Sequence, residues 1–169
     1  MTISTPRLDL VAATFEHCAA EADDPGRLGT MLAAAVPADW PPPLNDEDSQ
    51  RFFTSALRDR PAAAGWLIWY FVRREEPRTV IGNGGFKGEP LDGTVELGYS
   101  VIPAFQRRGY ASEAAEALVR WAFRDPRVQR VVAETFPELE GSLGVLRRTG
   151  FTRCEGAIEP GALRFERTR

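Results

Sequence analysis

Val95-Glu96-Leu97-Gly98-Tyr99-Ser100-Val101-Ile102 leads into Pro103-Ala104-Phe105-Gln106-Arg107-Arg108-Gly109-Tyr110-Ala111-Ser112. The first eight residues are rich in β-branched and aromatic side chains and read as a strand. Pro103 closes it, because proline has no N–H to give a ladder. From about Ala111 the apolar residues recur at i, i+3 and i+4 (Ala111, Ala114, Ala115, Leu118, Val119, Ala122 and Phe123), which predicts an amphipathic helix. Between strand and helix lies a basic turn with one glycine. The first N–H groups of a helix have no intrahelical acceptors, and the macrodipole is positive there. Gly109 lets backbone approach a ligand, Ala111 keeps the first turn clear, Arg107 and Arg108 add charge, and Ser112 adds a hydroxyl donor. The turn is a candidate cradle for a pyrophosphate.

The run Gln106-Arg107-Arg108-Gly109-Tyr110-Ala111 resembles the Gln/Arg-x-x-Gly-x-Gly/Ala motif of the GNAT superfamily of acetyl-CoA-dependent N-acetyltransferases. Thr5-Pro6-Arg7-Leu8, Glu96-Leu97-Gly98-Tyr99 and Arg147-Arg148-Thr149-Gly150-Phe151 are similar to segments of the branch that contains the ribosomal-protein N-terminal (Rim-type) acetyltransferases. The resemblance implies coenzyme A pyrophosphate at Gln106, Arg107, Arg108, Gly109, Tyr110, Ala111 and Ser112, with the pantetheine arm along Ser100, Val101 and Ile102. It implies direct transfer within a ternary complex. It also implies an α+β GNAT fold, whose mixed, mostly antiparallel sheet of about seven strands splays between the fourth and fifth.

The rest of the chain fits that order. Arg7 to Val11 alternates as a short strand. Thr14 is a candidate N-cap for a helix with Phe15, Cys18, Ala19 and Ala22 on one face. Pro25 opens a second helix carrying Leu28, Met31, Leu32 and Ala35. A third runs from about Asp46 to Asp59 with Phe52, Phe53, Ala56 and Leu57 buried. Pro37 to Asn45, with Trp40 and three consecutive prolines, is a stiff loop that either walls an acceptor pocket or connects two helices. Gly65 to Arg74 and Arg78 to Phe86 are strands. The Gly82-Asn83-Gly84-Gly85 run has no helix after it, so it predicts a bulge or a close backbone approach, not a dinucleotide loop. Val128 to Phe136 is a strand, Leu139 to Thr149 a helix capped at Gly150, and Phe151 to Glu155 and Ala162 to Arg167 are closing strands.

Three candidates carry the chemistry. Glu96 stands alone as a carboxylate in an apolar strand and is the first choice of base. Glu134, on the neighbouring strand near the expected splay, is the second. The branch's usual asparagine near the start of the late helix is replaced by Leu139. Leu146 stands where other branches present a tyrosine acid. Ser142 matches the branch's serine on that helix, where a hydroxyl would hydrogen-bond the leaving sulfur.

The chain has 169 residues, 43% of them apolar, which suits one GNAT acetyltransferase domain spanning residues 1–169. Net charge is −3, so no nucleic-acid partner is expected. Lys87 is the only lysine. Two cysteines and one histidine suggest neither a disulfide framework nor a metal site, and no metal is expected. His17 and Cys18 are adjacent and do not face each other on a helix, so they read as packing and surface residues. No signal peptide or long apolar span is visible, so the expected location is cytoplasmic, without a membrane partner. The expected activity is acetyl transfer from acetyl-CoA, as cosubstrate, to a primary amine of a protein N-terminus or a small molecule. A homodimer is left open. The alternative is an acyl-CoA-binding GNAT-like module with little or no catalysis.

Overall fold

A computed structural model describes residues 1–43 and 45–169. The strands are β1 (Thr2–Ser4), β2 (Leu8–Ala12), β3 (Ile68–Arg73), β4 (Thr79–Phe86), β5 (Thr94–Val101), β6 (Arg130–Thr135), β7 (Thr152–Cys154) and β8 (Leu163–Thr168). The helices are α1 (Phe15–Asp23), α2 (Pro25–Leu32), α3 (Glu47–Asp59), α4 (Tyr110–Ala122) and α5 (Glu140–Arg148). The strands form one sheet in the order β1-β2-β3-β4-β5-β6-β8-β7. Every pairing is antiparallel except β5 with β6. The eighth strand, β1, was not expected. It is a three-residue polar edge strand paired with β2.

Period-2 alternation sorts the side chains onto two faces. Leu8, Leu10, Trp69, Phe71, Ile81, Leu97 and Val131 pack against the apolar stripe of α4 and against Val145 and Leu146 of α5. Ile68, Tyr70, Val72 and Val80 pack under α1, α2 and α3, against Cys18, Leu28, Leu32 and Leu57. Helices thus cover both faces of the central strands. That explains why β3 and β4 are near-continuous buried runs.

The glycine run in β4 does what was expected. The register slips between Phe71 and Val72 of β3. A Cβ on Gly84 would lie 2.6 Å from the Gly98 carbonyl oxygen of β5, so only glycine permits the close approach.

Four residues expected on buried helix faces lie elsewhere. Ala22 is exposed, and α1 buries Ala20 and Glu21 beside Cys18. Met31 of α2 and Phe52 of α3 are exposed, at 38% and 52%. Ala35 lies beyond α2, because Ala33 turns left-handed (φ 47°) and Ala35 then bridges to Thr79. The buried stripes of α2 and α3 are narrower than their apolar composition: α2 buries Leu28 and Leu32, and α3 buries Leu57.

Candidate active site

The site lies where the sheet opens. β5 and β6 pair only at Thr94/Arg130, Val95/Val131 and Glu96/Val132. Past that point β5 pairs with β4 alone, and β6 with β8 alone. The phase of the β5 ladder decides which backbone groups face the gap. Lys87 N donates to Glu96 O at 3.0 Å, and Ile102 N donates to Ile81 O at 3.0 Å. The even-numbered residues of β5 therefore bond to β4, and the odd-numbered ones point at the gap. Of the three expected pantetheine contacts, Val101 has its backbone on the open side. Ser100 and the fully buried Ile102 direct theirs to β4. Tyr99, not singled out from sequence, joins Val101 on the open side.

At the far end of the gap is the basic turn. After a 3-10 turn over Pro103–Phe105, Arg107 and Gly109 both adopt left-handed backbone, with φ 59° and 82°. Alternating hands curl successive N–H groups toward one point, the geometry of an anion nest. The first bond of α4 runs from Glu113 N to Gly109 O at 3.1 Å. The N–H groups of Tyr110, Ala111 and Ser112 consequently have no intrahelical acceptor. Arg107 and Arg108 are exposed beside them, and Arg148 of α5 donates to Ser112 Oγ at 3.1 Å. Gln106 is a brace here. Its side chain donates to Val101 O at 2.8 Å and its N–H donates to Pro103 O at 3.1 Å, which ties the turn to β5. Nest, helix terminus and guanidinium groups together fit a pyrophosphate.

Glu96, Gly98 and Ser100 share the β5 face turned toward α1–α3. A Cβ built on Gly98 meets nothing within 4 Å, so there is open space beside Glu96 at the mouth of the gap. The Glu96 side chain retains 15% exposure and is ion-paired with Lys87 Nζ. Ser100 Oγ donates to Pro43 O, holding the proline loop against this face. Residue 44 of that loop lies outside the described residues. Glu21 fastens the loop from below. Its carboxylate accepts from Tyr70 Oη (2.6 Å), Trp40 Nε1 (2.9 Å) and Asn45 Nδ2 (3.0 Å). Burial pushes the Glu21 carboxyl upward, and those three bonds oppose the rise.

Glu134 is differently placed from what a base requires. It accepts from Ile158 N at 2.9 Å, Glu159 N at 3.2 Å and Arg164 Nη1 at 2.6 Å. Burial works to raise its carboxyl, but the two backbone bonds and Arg164 outweigh it and hold the group below its ordinary value. A saturated carboxylate with depressed basicity is a clamp for the loop between β7 and β8.

Ser142 in the first turn of α5 meets Tyr99. The Tyr99 hydroxyl donates to Ser142 O at 3.2 Å and lies 3.2 Å from Ser142 Oγ. Burial pushes the Tyr99 phenol up to about 12, so it is a neutral O–H at working pH. Leu139 caps α5 without a side-chain hydrogen bond, consistent with a missing asparagine. Leu146 is fully buried in the core. His17 and Cys18 form no nucleophile pair. His17 Nδ1 accepts from Thr14 N at 3.2 Å, and burial pushes the Cys18 thiol up to about 12.

Residues 11–152 match the model of the acetyltransferase (GNAT) domain family, and the chain belongs to that family. A Bacillus subtilis protein called uncharacterized N-acetyltransferase YjdG is 30% identical over 101 residues, which is 59% of this chain and 60% of that one. The matched region thus spans less than two thirds of that relative. An acetyltransferase structure from Agrobacterium tumefaciens is 24% identical with a TM-score of 0.69, covering all of this chain and 95% of that one. RimL, a ribosomal-protein alpha-N-acetyltransferase solved with coenzyme A, is 21% identical with a TM-score of 0.68, covering 99% and 98%. Among the described residues, no group of three or more His, Cys, Asp or Glu could hold a metal ion, and no helix is long and apolar enough to cross a membrane.

Proposed function

We propose that this chain is an N-acetyltransferase that moves an acetyl group from acetyl-CoA directly to a primary amine, in the cytoplasm, with residues 1–169 acting as one domain. The observation that carries the reading is the alignment of three features along one opening: the nest at Arg107–Ser112, the unpaired edge of β5 at Tyr99 and Val101, and the open space at Gly98 beside Glu96. Acetyl-CoA, as cosubstrate, supplies the activated thioester.

The chain's residues then divide the work. The nest and its arginines hold the pyrophosphate. The Val101 N–H lies along the arm and polarises the acetyl carbonyl. Glu96 takes the amine proton, directly or through water, and the Lys87 ammonium beside it holds its carboxylate in place. The Ser142 hydroxyl hydrogen-bonds the departing sulfur, and Tyr99 fixes Ser142 in position. Glu134 shapes the acceptor side through its clamp on the β7–β8 loop and takes no proton. The acceptor is a protein N-terminus or a small-molecule amine. RimL shares the fold and acts on a ribosomal protein, which keeps the former in view.

The test is thiol release from acetyl-CoA across a panel of amines and N-terminal peptides, with coenzyme A binding measured alongside. Amine-dependent release supports the enzyme. Tight binding without release by any amine would favour an acyl-CoA-binding module.

A further inference from the structure

The N-terminal segment reaches the cradle from more than a hundred residues away in sequence. Thr5 Oγ1 donates to Glu113 Oε1 at 2.7 Å, and Arg7 N donates to the same oxygen at 2.8 Å. Arg7 Nε donates to Glu113 Oε2 at 2.6 Å, and Arg7 Nη1 donates to Arg108 O at 2.9 Å. The Arg7 guanidinium lies 4.6 Å from the Tyr110 ring centroid, and its Nη2 would sit 3.3 Å from a Cβ on Gly109. Arg74 N holds Arg7 from the sheet side by donating to its carbonyl at 2.9 Å.

These contacts have one target. Arg108 stands between the two left-handed residues, Arg107 and Gly109. Left-handed backbone at a non-glycine residue persists only where the surroundings enforce it. Arg7 grips the carbonyl between them and stacks on the residue that follows. Glu113 anchors Arg7 from the first turn of α4. Burial works to raise the Glu113 carboxyl, but the bonds from Thr5 and Arg7 prevail and keep it ionised below its ordinary range.

We infer that Arg7 is a positioning residue which, through Glu113 and the Arg108 carbonyl, holds the Arg107–Ser112 nest in its pyrophosphate-binding shape before the cosubstrate arrives. The inference rests on the acetyl-CoA reading above. It makes Arg7 selective for one part of the cosubstrate, the diphosphate, and indifferent to the thioester.

The experiment compares wild type, Arg7→Ala, Arg7→Lys and Glu113→Gln. Each is confirmed folded by its thermal transition. Coenzyme A affinity is measured by calorimetry, and transfer is measured with two donors, acetyl-CoA and S-acetylpantetheine, which carries the thioester but no pyrophosphate. The expected result is a weakening of coenzyme A binding by about tenfold to a hundredfold, the value of a lost hydrogen bond to a charged group. The KM for acetyl-CoA should rise with kcat retained, and rates with S-acetylpantetheine should stay at wild-type level. Arg7→Lys should behave like Arg7→Ala, since an ammonium cannot grip Glu113 and the Arg108 carbonyl together. Full rescue by lysine would reduce the effect to charge and overturn the strut. Equal losses with both donors would overturn it too, as would unchanged coenzyme A affinity in every variant. A wild type that fails to bind coenzyme A would instead overturn the acetyl-CoA reading, and the strut with it.

Discussion

Truncating Glu134 separates a structural carboxylate from a chemical one. Glu134→Ala removes three hydrogen bonds and leaves the Arg164 guanidinium, with 16% side-chain exposure, without its partner. Breaking a buried pair by removing one partner costs about 3–5 kcal/mol, and a bond to a charged group contributes about 1.5–3 kcal/mol. Arg164 is near enough to the surface to find water, so the lower part of the combined range applies, about 2–3 kcal/mol. At about 2–4 °C per kcal/mol for a chain of this size, Tm should fall by about 4–12 °C. The sign of the pH dependence follows from the carboxyl being held below its ordinary value of 4.5. A depressed folded-state pKa gives stability that is present above the unfolded value and is lost as pH falls through the folded one. The Tm gap between wild type and variant should therefore be flat from neutral pH down to the ordinary glutamate range and close below it. Circular dichroism melts across that series are the assay. An unchanged Tm, combined with a rate loss as large as that of Glu96→Gln, would refute the clamp and return Glu134 to the chemistry.

The other perturbations act on function. Glu96→Gln keeps the shape and removes the proposed base, so the rate at neutral pH should drop by roughly tenfold to a thousandfold with coenzyme A affinity unmoved; a wild-type rate and pH profile would remove Glu96 from the mechanism. Ser142→Ala should lose roughly tenfold to a hundredfold in turnover at saturating acetyl-CoA, and Tyr99→Phe a smaller amount through misplacement of Ser142. If Ser142→Ala turns over like wild type, the serine is a packing residue. Glu21→Ala frees Trp40 and Asn45, so KM for the amine should rise while KM for acetyl-CoA holds; a change confined to the latter would detach the proline loop from the acceptor side.

Local chemistry made the centre of the fold readable. Pro103, Gly109 and the Ala114-Ala115-Leu118-Val119 spacing mark strand end, turn and helix within one stretch, and the structure keeps that stretch nearly residue for residue. Thr14, Pro25 and Gly150 likewise announced helix ends. What escaped was set by distant partners. Glu21 was not singled out, because what buries it includes the hydroxyl of Tyr70, 49 residues away. Tyr99 and Ser142 are 43 residues apart, and Arg7 and Glu113 are 106 apart. No periodicity couples positions so far apart. Phe52 shows the converse error. Its size predicted burial, but α3 buries fully only Leu57, with Phe53 and Ala56 half-covered. The phase of the β5 ladder, which assigns Ser100 to β4 and Tyr99 to the gap, depends on register and so on the partner strand.

The central claim is that the Arg107–Ser112 nest presents acetyl-CoA to an amine. Its most direct measurement is the amine-dependent release of thiol from acetyl-CoA by wild type and Gly109→Glu, titrated in acetyl-CoA. Gly109 holds φ 82°, where a side chain costs about 1–2 kcal/mol, and a Cβ there would sit 3.3 Å from Arg7 Nη2, so a glutamate brings bulk and negative charge against the guanidinium that holds the turn. The account predicts release that saturates in acetyl-CoA and requires an amine, with KM for acetyl-CoA raised sharply in the variant. Release that ignores the amine, or a Gly109→Glu protein with wild-type KM, would contradict it.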